Sequence, residues 1–331
     1  MNKNNMIFVL VFVALTFFCR DGYSFYQEEQ LVAKEVNIEI GEEYINYFPL
    51  PVEIKYDSEN IYVLDADDND VKVFEKNGKY VDQIGRKGRG PGEFDMPSGM
   101  DIFEGKIYIA DKMNRRIQII NKNGDYLNGF NTKFSPNKIV ILRKDRIIVS
   151  FLPLIKTSEE NMIFCFTKEG RLLWKKFESF YSGDRVYDVF QNRLDMGIKK
   201  GNELVVARKN NDRNLYIYSW EGILLDEIRI TNEYIYKDIV LPVGKKKRLF
   251  NLYGDFSIFD DKFYLLSTKY TSKRGKKDLI PGDKIYVFDI NGKTLCMIQL
   301  PVPLKLISID QQNIYGIGIH NKLRIFKIRG K

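Results

Sequence analysis

The chain contains 331 residues, of which 44% are hydrophobic and 29% are charged, and its formal net charge is +8 at pH 7. Three cysteines and a single histidine exclude a disulfide framework and a metal site built from clustered histidines. The positive charge favours anionic partners or surfaces, or it reflects a basic surface without a binding role.

The first 24 residues have the pattern of an export signal. Lys3 precedes an apolar run from Met6 to Phe18, which is shorter than the roughly 20 residues of a membrane-spanning helix. Gly22 and Ser24 are the small residues expected before cleavage after Ser24. Lipidation of Cys19 and an uncleaved anchor are the alternatives, and only they would attach the protein to a membrane. We therefore expect an exported protein, periplasmic, at the cell surface or extracellular.

Residues 25–331 show an internal repeat and no linker rich in Ser, Pro or Gly, which predicts a single domain. Six times, a hydrophobic strand ends in an apolar or aromatic residue and a glycine follows four positions later. These strands end at Phe74, Ile120, Phe166, Tyr218, Phe288 and Phe326, and the glycines are Gly78, Gly124, Gly170, Gly222, Gly292 and Gly330. A second hydrophobic strand precedes each of them. Asn-Gly pairs such as Asn77-Gly78 predict two-residue hairpin turns between strands.

Repeats of about 40 to 50 residues with several strands each have the size of propeller blades. We predict an all-β, six-bladed β-propeller with four antiparallel strands per blade, named a to d from the axis outward. The predicted blades are approximately 50–85, 96–130, 136–177, 193–230, 253–300 and 301–331. The last blade has no room for strand d. We expect Val32–Ile40 to supply that strand and to close the ring, because open sheet edges invite aggregation.

One stretch carries a family signature. Gly85–Phe94, Pro97–Met100, Ile107–Asp111 and Asn114–Gln118 together resemble an NHL repeat, with a specific match over residues 85–130 and a recognisable one over 52–84. The resemblance implies a six-bladed β-propeller. It implies no single activity, because NHL proteins include nucleic-acid binders, protein binders and hydrolase- or lyase-like enzymes.

The two cysteines beyond the signal are predicted to be free and buried. Cys165 falls in strand c of blade 3 and Cys296 in strand d of blade 5. Blades that are not neighbours cannot bring two Cα atoms within the roughly 7 Å that a disulfide requires.

Two motifs resemble known sites but favour a structural interpretation. Asp65–Asp70 begins like a calcium loop, yet Asp70 and Lys76 stand where an EF-hand has Gly and Glu, so turn formation is favoured. His320 lies in the last b–c turn with no G-x-S-x-G elbow nearby, so a solvated turn residue is favoured over a catalytic base.

Two further motifs lie in the NHL-like stretch. Gly85–Gly92 is rich in glycine and cations, but no helix pattern follows it, so we interpret it as a connection between blades rather than a phosphate-binding loop. The b–c turn of blade 2 is either a ligand contact or, as favoured here, an ion pair with a turn cap within the blade. Its polar residues are Asp111, Asn114, Arg115 and Arg116.

Loop length predicts the working face. Because strands alternate in direction, the d–a and b–c connections emerge on one face, and the a–b and c–d turns emerge on the other. The long connections are almost all on the first face, at 86–96, 153–161, 178–192, 231–252 and 267–284. Their cations and aromatic side chains suit carbohydrate, peptide or polyanion binding. The candidate ligand-binding residues are Arg86, Arg89, Arg115, Tyr181, Tyr187, Lys245, Lys246, Lys247, Arg248 and Arg274.

The sequence therefore favours an exported, non-enzymatic binding or scaffold protein. We expect a monomer with no metal, no cofactor and no catalytic residue, whose partner is a protein, a carbohydrate or a polyanion. The alternative is a propeller enzyme of the lactonase or lyase type, which a tightly bound divalent metal would favour. Nucleic-acid binding is a third interpretation, and the export signal argues against it.

Overall fold

The computed structural model describes residues 29–36, 46–143, 145–210, 212–230, 237–241, 247–251, 253–273 and 276–329. The N-terminal strand is β1 (Glu29–Glu35). Blade 1 contains β2 (Pro51–Tyr56), β3 (Asn60–Asp65), β4 (Asp70–Glu75) and β5 (Tyr80–Ile84). Blade 2 contains β6 (Gly99–Phe103), β7 (Lys106–Asp111), β8 (Arg116–Asn121) and β9 (Tyr126–Asn131). Blade 3 contains β10 (Pro136–Arg143), β11 (Arg146–Phe151), β12 (Asn161–Phe166) and β13 (Leu172–Glu178).

A short helix, α1 (Arg185–Gln191), leads to the second half of the chain. Blade 4 contains β14 (Leu194–Lys199), β15 (Glu203–Arg208), β16 (Asn214–Tyr218) and β17 (Leu224–Arg229). A hairpin of β18 (Lys237–Leu241) and β19 (Lys247–Asn251) follows. Blade 5 contains β20 (Asp255–Phe259), β21 (Lys262–Lys273), β22 (Lys276–Phe288) and β23 (Thr294–Gln299). Blade 6 contains β24 (Leu304–Ile309), β25 (Asn313–Gly318) and β26 (Leu323–Arg329).

The blades form a closed ring around a central channel. Each innermost strand contacts the innermost strand of the next blade, in the order β2, β6, β10, β14, β20, β24 and back to β2. Between successive blades lies a cluster of buried apolar side chains, such as the one that joins Val140 and Ile148 of blade 3 to Leu204 and Val206 of blade 4. The core is therefore a ring of interfaces between sheets, and burial of their apolar side chains stabilises the fold. The predicted all-β propeller with four-stranded blades is confirmed.

Strand β1 closes the ring in the role that the sequence predicts. It pairs antiparallel with β26, with Ala33 opposite Ile328, and parallel with β23, with Leu31 opposite Ile298. It therefore joins blades 5 and 6 into one eight-stranded sheet. The bounds differ from the prediction of Val32–Ile40, because the strand begins at Glu29 and ends at Glu35. Leu31 and Ala33 fix this register by packing into the cluster between blades 5 and 6, whereas residues 37–40 lie outside the described part of the chain.

Five of the six repeated glycines close c–d turns, but not as two-residue turns, and Gly330 lies outside the described part of the chain. In blade 1, the Gly78 N–H donates to Glu75 O at 2.8 Å and the Glu75 N–H donates to Lys79 O at 2.8 Å. A register shift follows in the ladder between β4 and β5. This is a turn with a β-bulge, in which Gly78 alone adopts a positive φ, of 93°. Asn77 keeps a negative φ, so the predicted hairpin is confirmed and its predicted turn geometry is wrong.

The glycine positions also have a packing role. A Cβ on Gly222 would lie 2.8 Å from Cδ2 of Trp174 in the outer strand of the preceding blade, and one on Gly170 would lie 2.5 Å from Cβ of Phe130. Because the c–d turns of blades 2 to 5 abut the blade before them, their glycines allow neighbouring blades to approach closely.

Cys165 and Cys296 lie in β12 and β23, as the blade assignment predicts, and both are buried thiols that form no disulfide.

Candidate functional site

The long connections are on one face, which we call the long-loop face; it carries the d–a and b–c connections. Part of this sequence, predicted as loops, is regular structure. The connection between blades 3 and 4 contains α1, which Asp184 caps by accepting from the Tyr187 N–H. The connection between blades 4 and 5 contains the hairpin of β18 and β19, and the b–c connection of blade 5 is an extension of β21 and β22 to Lys273 and Lys276.

In the loop between blades 1 and 2, Arg86 already has a partner. Its Nε and Nη2 donate to Glu93 Oε1 at 3.0 and 2.8 Å. Glu93 Oε2 accepts the backbone N–H groups of Arg89 and Gly90. The hydrogen bond from the Gly90 N–H is the main cause that holds the pKa of Glu93 below its usual value. The Arg86 guanidinium and then the Arg89 N–H lower it further. Arg86 therefore stabilises the loop rather than offering an unpaired charge, whereas the Arg89 side chain is exposed.

The polar residues of the NHL-like turn hold this loop in place. Asp111 is fully buried, and its Oδ2 accepts from Arg116 Nε at 2.8 Å and from Asn114 Nδ2 at 2.9 Å. Arg116 Nη1 and Nη2 donate to the carbonyl oxygens of Arg89, Gly90 and Glu93 at 2.7 to 2.8 Å. Because four of its five N–H donors are engaged in holding the loop, Arg116 is a structural residue. Arg115 is exposed in the same turn with a φ of 51°.

Tyr181 and Tyr187 lie together around α1. The Tyr181 hydroxyl donates to Ile155 O at 3.3 Å, and the Tyr187 ring meets Phe180 edge-on with centroids 6.0 Å apart. Both tyrosines are half-buried. Buried Asp188 accepts from the backbone N–H and hydroxyl of Ser182 at 2.8 and 2.6 Å, which ties the chain before α1 to the helix.

Next to these tyrosines, the long-loop face exposes apolar side chains that the sequence analysis missed. Leu154, Ile155, Phe180 and Val186 have exposed fractions of 51%, 60%, 43% and 39%; we call these four residues the 154–186 patch. Between the 153–156 loop and α1 lies a cavity of about 200 Å³, lined in part by Tyr181 and Arg185. The Arg185 Nε donates to Leu154 O at 3.1 Å and so joins the loop to the helix.

Of the remaining predicted residues, Lys247 and Arg248 are the first residues of β19. Lys245, Lys246 and Arg274 lie outside the described part of the chain. The seven predicted residues that the structure describes thus belong to three regions around the ring, at blades 1–2, at blades 3–4 and in β19.

The channel contains a charged network that the sequence analysis did not find. Near the long-loop end, Lys138 Nζ of blade 3 lies 2.8 Å from Glu53 of blade 1 and 3.9 Å from Asp195 of blade 4. Lys209 Nζ lies 2.9 Å from Asp195 Oδ2, at an angle unsuited to a hydrogen bond, and donates to Gly254 O at 2.9 Å. Gly99, without a side chain, occupies the innermost strand of blade 2 between blades 1 and 3. These ion pairs fill the channel at the level where the innermost strands begin.

Burial and neighbouring charges shift the pKa values in this network. Burial raises the pKa of Asp255 to about 6, Asp195 adds to the increase, and Lys209 opposes it. Burial by itself lowers the pKa of Lys138, but Glu53 and the other carboxylates outweigh it, so its pKa is raised. Asp255 Oδ2 accepts the backbone N–H of Ile307 at 2.7 Å, and Asp101 Oδ2 accepts that of Ile141 at 2.7 Å. These two carboxylates therefore join β20 to β24 and β6 to β10.

Beyond the network, the channel widens into a cavity of about 310 Å³. Its polar lining includes Lys55 and Asp101, whose charged groups are 3.6 Å apart, and Ser257 and Ser308. Asn202, in the a–b turn of blade 4, also lines it. A channel ligand would therefore approach from the short-turn face, opposite the face that loop length predicts.

The calcium-like motif Asp65–Asp70 and His320 both lie in turns. Asp65 Oδ1 accepts the backbone N–H groups of Asp67 and Asp68 at 2.9 and 3.1 Å, and Lys72 pairs with Asp68 at 2.5 Å. His320 is exposed in its turn. Within the described residues, no group of three or more His, Cys, Asp or Glu side chains is arranged to hold a metal ion. No helix in that part of the chain is long and apolar enough to cross a membrane.

Comparison with known proteins identifies a family with this fold. Residues 46–229 match the profile of DUF5128, a family described as a 6-bladed β-propeller. A search of curated proteins gave no match.

Solved structures show the same architecture at low identity. A DUF4221 member from Bacteroides vulgatus is 14% identical, with a TM-score of 0.62 over 92% of this chain and 99% of that one. A putative exported protein from Bacteroides fragilis is 13% identical, with a TM-score of 0.59 over 91% and 95%. Virginiamycin B lyase from Staphylococcus aureus is 13% identical, with a TM-score of 0.52 over 89% and 98%. These likenesses establish the fold and carry no activity over to this chain.

Proposed function

The chain belongs to the DUF5128 family of six-bladed β-propellers, and we propose that it is an exported, non-enzymatic binding protein that engages a partner protein through its long-loop face. One observation carries the proposal: the 154–186 patch, on a face built from long connections. The export signal at residues 1–24 and the likeness to a putative exported Bacteroides protein support the location.

The patch has the features of an interface core. Isolated exposed apolar residues are ordinary, but adjacent ones around a concave site indicate an interaction surface. The 153–156 loop and α1 hold these side chains in place through the hydrogen bonds of Tyr181 and Arg185 to the loop carbonyl groups. A preorganised surface loses less side-chain freedom on binding, which favours affinity.

Exposed cations border this apolar core. Lys156 and Arg185 lie beside the patch, and Arg89 and Arg115 lie on the same face at blades 1–2. Charges at the rim of an interface govern the encounter rate and the choice of partner more than they add affinity. The partner is therefore a protein that presents apolar side chains within an acidic rim.

Photo-cross-linking in the source cell tests this function. We expect p-benzoylphenylalanine at Ile155 to form an adduct with one protein. The same probe at Ile290, an exposed residue in the c–d turn of blade 5, should not. Leu154→Asp should remove the Ile155 adduct, and Leu225→Asp should leave it, because Leu225 is equally exposed but lies in the outer strand β17. Equal adducts at both probe sites, or none at Ile155, would contradict the proposal.

The channel favours a second candidate, an enzyme of the lactonase or lyase type. Its specific support is the cavity that brings Lys55 and Asp101 together, close to Asp255 with its pKa of about 6. A carboxyl group that titrates near neutral pH suits proton transfer. Turnover of a lactone or cyclic ester that Lys55→Met abolishes would establish this candidate, and metal analysis of the purified protein would show whether a divalent ion assists. Wild-type protein inactive on such substrates would set it aside.

A further inference from the structure

The wedge between blades 2 and 3 contains a cavity of about 630 Å³, larger than the one in the channel. Protein interiors rarely leave voids larger than a water molecule, and ligand pockets typically measure about 300 to 1,000 Å³. Its lining includes Phe134, Phe151, Phe164 and Phe166, with Lys133, Ser158, Glu159, Leu172 and Lys175 among the other residues.

The outer strand of blade 2 covers its wedge differently from that of blade 3, because Phe130 lies over Gly170 where blade 3 uses a tryptophan over Gly222. Between blades 3 and 4, the Trp174 indole covers Gly222 and donates to Trp220 O at 3.1 Å. Trp174 is paired with Cys165, and the corresponding residue of blade 2, paired with Ile119, is Asn128. Asn128 Nδ2 donates to Lys168 O of blade 3 at 3.1 Å. A small amide at this position fills less of the wedge than an indole does.

The phenylalanines give the cavity a preformed aromatic wall. The Phe134 centroid lies 4.4 Å from that of Phe164 and 5.4 Å from that of Phe151. Phe164 is buried, whereas Phe134 and Phe151 are only half-buried and present ring surface to the cavity. The Thr132 hydroxyl donates to Phe134 O at 2.6 Å and holds the loop that carries this ring. Such a wall suits an apolar or aromatic body.

The polar lining carries one more positive than negative charge. Lys175 pairs with Glu159 at 2.9 Å, and Glu159 also accepts from the Asn161 N–H at 2.9 Å. Lys133 is exposed, and within the described residues no carboxylate pairs with it. Ser158 also lines the cavity. An exposed cation without a carboxylate partner complements an anionic group.

We propose that this cavity binds a small amphipathic anion, with its apolar or aromatic body against the phenylalanines and its anionic head at Lys133. The cavity shares no lining residue with the 154–186 patch or the channel cavity, so the proposal does not depend on the function proposed above. It adds a ligand class to a fold whose comparisons assign none to this chain.

Two fluorescent probes that differ in one group test the proposal: 1-anilinonaphthalene-8-sulfonate and its uncharged analogue N-phenyl-1-naphthylamine. Calorimetry should give a single saturable site for the sulfonate probe. We expect Lys133→Glu to weaken binding of the sulfonate probe about tenfold, and binding of the neutral probe by less than about twofold. Leu172→Trp, which fills the cavity, should weaken binding of both probes about tenfold or more.

Matched variants exclude general surface effects. Lys168→Glu makes the same charge change at an exposed c–d turn, and Leu224→Trp is the equivalent substitution in blade 4, where Leu224 is 49% exposed and Leu172 is 48% exposed. Both should keep binding within about twofold, and circular dichroism should show all four variants folded. No saturable site, equal losses for Leu172→Trp and Leu224→Trp, or a Lys133→Glu variant that binds the sulfonate probe like wild type would each overturn the proposal.

Discussion

Asp255 and Asp310 are largely buried carboxylates with opposite pKa shifts. The shifts differ because more hydrogen-bond donors reach Asp310 than Asp255. Burial raises the pKa of Asp255, which accepts one backbone N–H, from Ile307. Burial also acts to raise the pKa of Asp310, but hydrogen bonds outweigh it and lower the value. Asp310 accepts from the Tyr315 hydroxyl at 2.6 Å and from the backbone of Gln312 and Asn313 at 2.9 and 2.8 Å.

Asp255→Asn should therefore gain stability relative to wild type as the pH rises. The folded pKa of about 6 lies above the unfolded value of 3.8, so the unfolded chain ionises first. Wild-type stability therefore falls as the pH rises from about 3.8 to about 6, by up to about 3 kcal/mol, and stays at that lower level above pH 6. Asparagine keeps an acceptor for the Ile307 N–H and lacks the charge. Urea unfolding of both proteins at pH 4.0 and 7.5 measures the difference.

The opposite sign is expected for Asp310→Asn, which serves as the control. Because the folded pKa of Asp310 is lowered, its carboxylate stabilises the fold above the unfolded pKa, and the variant should be less stable than wild type at neutral pH. That deficit should shrink as the pH falls through the folded pKa. If the stability of both variants relative to wild type changed in the same direction with pH, the explanation from the hydrogen-bond donors of the two carboxylates would be wrong.

Gly222 should tolerate alanine less well than Gly105 does. Both have a positive φ, 80° and 71°, so alanine at either position carries a backbone penalty of about 1 kcal/mol. Only at Gly222 would the new Cβ meet a neighbour, Trp174, whereas Gly105 has nothing within 4 Å. We expect Gly222→Ala to lose a further 1 to 3 kcal/mol or so from overpacking. Denaturant unfolding measures both variants, and equal losses would show that the turn glycines serve backbone conformation alone.

At the scale of elements, β1 is the strand on which ring closure depends. It occupies the outer position of blade 6 and pairs with β23 of blade 5, so it covers the edges of both blades. Arg324 of β26 adds an ion pair with Glu35 at 2.8 Å. Without β1, both edges would offer unpaired backbone groups to other chains.

Ala33→Asp should open this closure, whereas Lys34→Asp should not. Ala33 is buried against the cluster that contains Cys296, Ile298 and Phe326, so an aspartate there buries an unpaired carboxylate at a cost of about 3 kcal/mol or more. The neighbouring Lys34 side chain is exposed. Thermal unfolding and light scattering report the loss of stability and the association of exposed edges. A stable, monomeric Ala33→Asp variant would show that the β1 pairing is dispensable.

Elements with a strong local signal could be predicted, and those defined by distant contacts could not. The repeated strand pairs have strict hydrophobic patterns and form as predicted, whereas the turns at their glycines form with a bulged geometry that differs from the predicted two-residue turn. Helix α1 spans only Arg185–Gln191, too short for a helical period to stand out from a loop. The position of β1 depends on the burial of Leu31 and Ala33 against blades 5 and 6, some 260 residues later in the chain.

At the scale of the whole molecule, the channel network shows why site residues escaped the sequence analysis. Glu53, Lys138 and Asp195 stand in different repeats, each as a single charge near the start of a hydrophobic strand. Only ring closure brings them together. Alignment of the six innermost strands with one another provides a signal that could have found them, because charged residues recur near the same position of four of those strands.

The two faces of the ring can be compared by charge reversal. One variant replaces the basic run 245–248, which the sequence predicts for the long-loop face, with glutamates, and the other replaces Lys106, Lys168, Arg171 and Lys262, which are exposed near the a–b and c–d turns of the opposite face. The net charge changes equally. Lys76 and Lys122 are unsuitable for the second set, because they pair with Asp310 at 3.1 Å and with Asp57 at 2.6 Å, so their reversal would also weaken the fold.

Partner binding should weaken with the first variant and persist with the second, while both melt within a few degrees of wild type. Exposed charges contribute little to stability, typically less than about 0.5 kcal/mol each, whereas rim charges on an interface control the association rate. Measured by surface plasmon resonance against the partner cross-linked at Ile155, the loss should lie mainly in the association rate and should fall as salt is added. If the second variant alone lost binding, the partner would contact the short-turn face, where the channel cavity lies. Equal binding by both would mean that neither basic patch takes part in recognition.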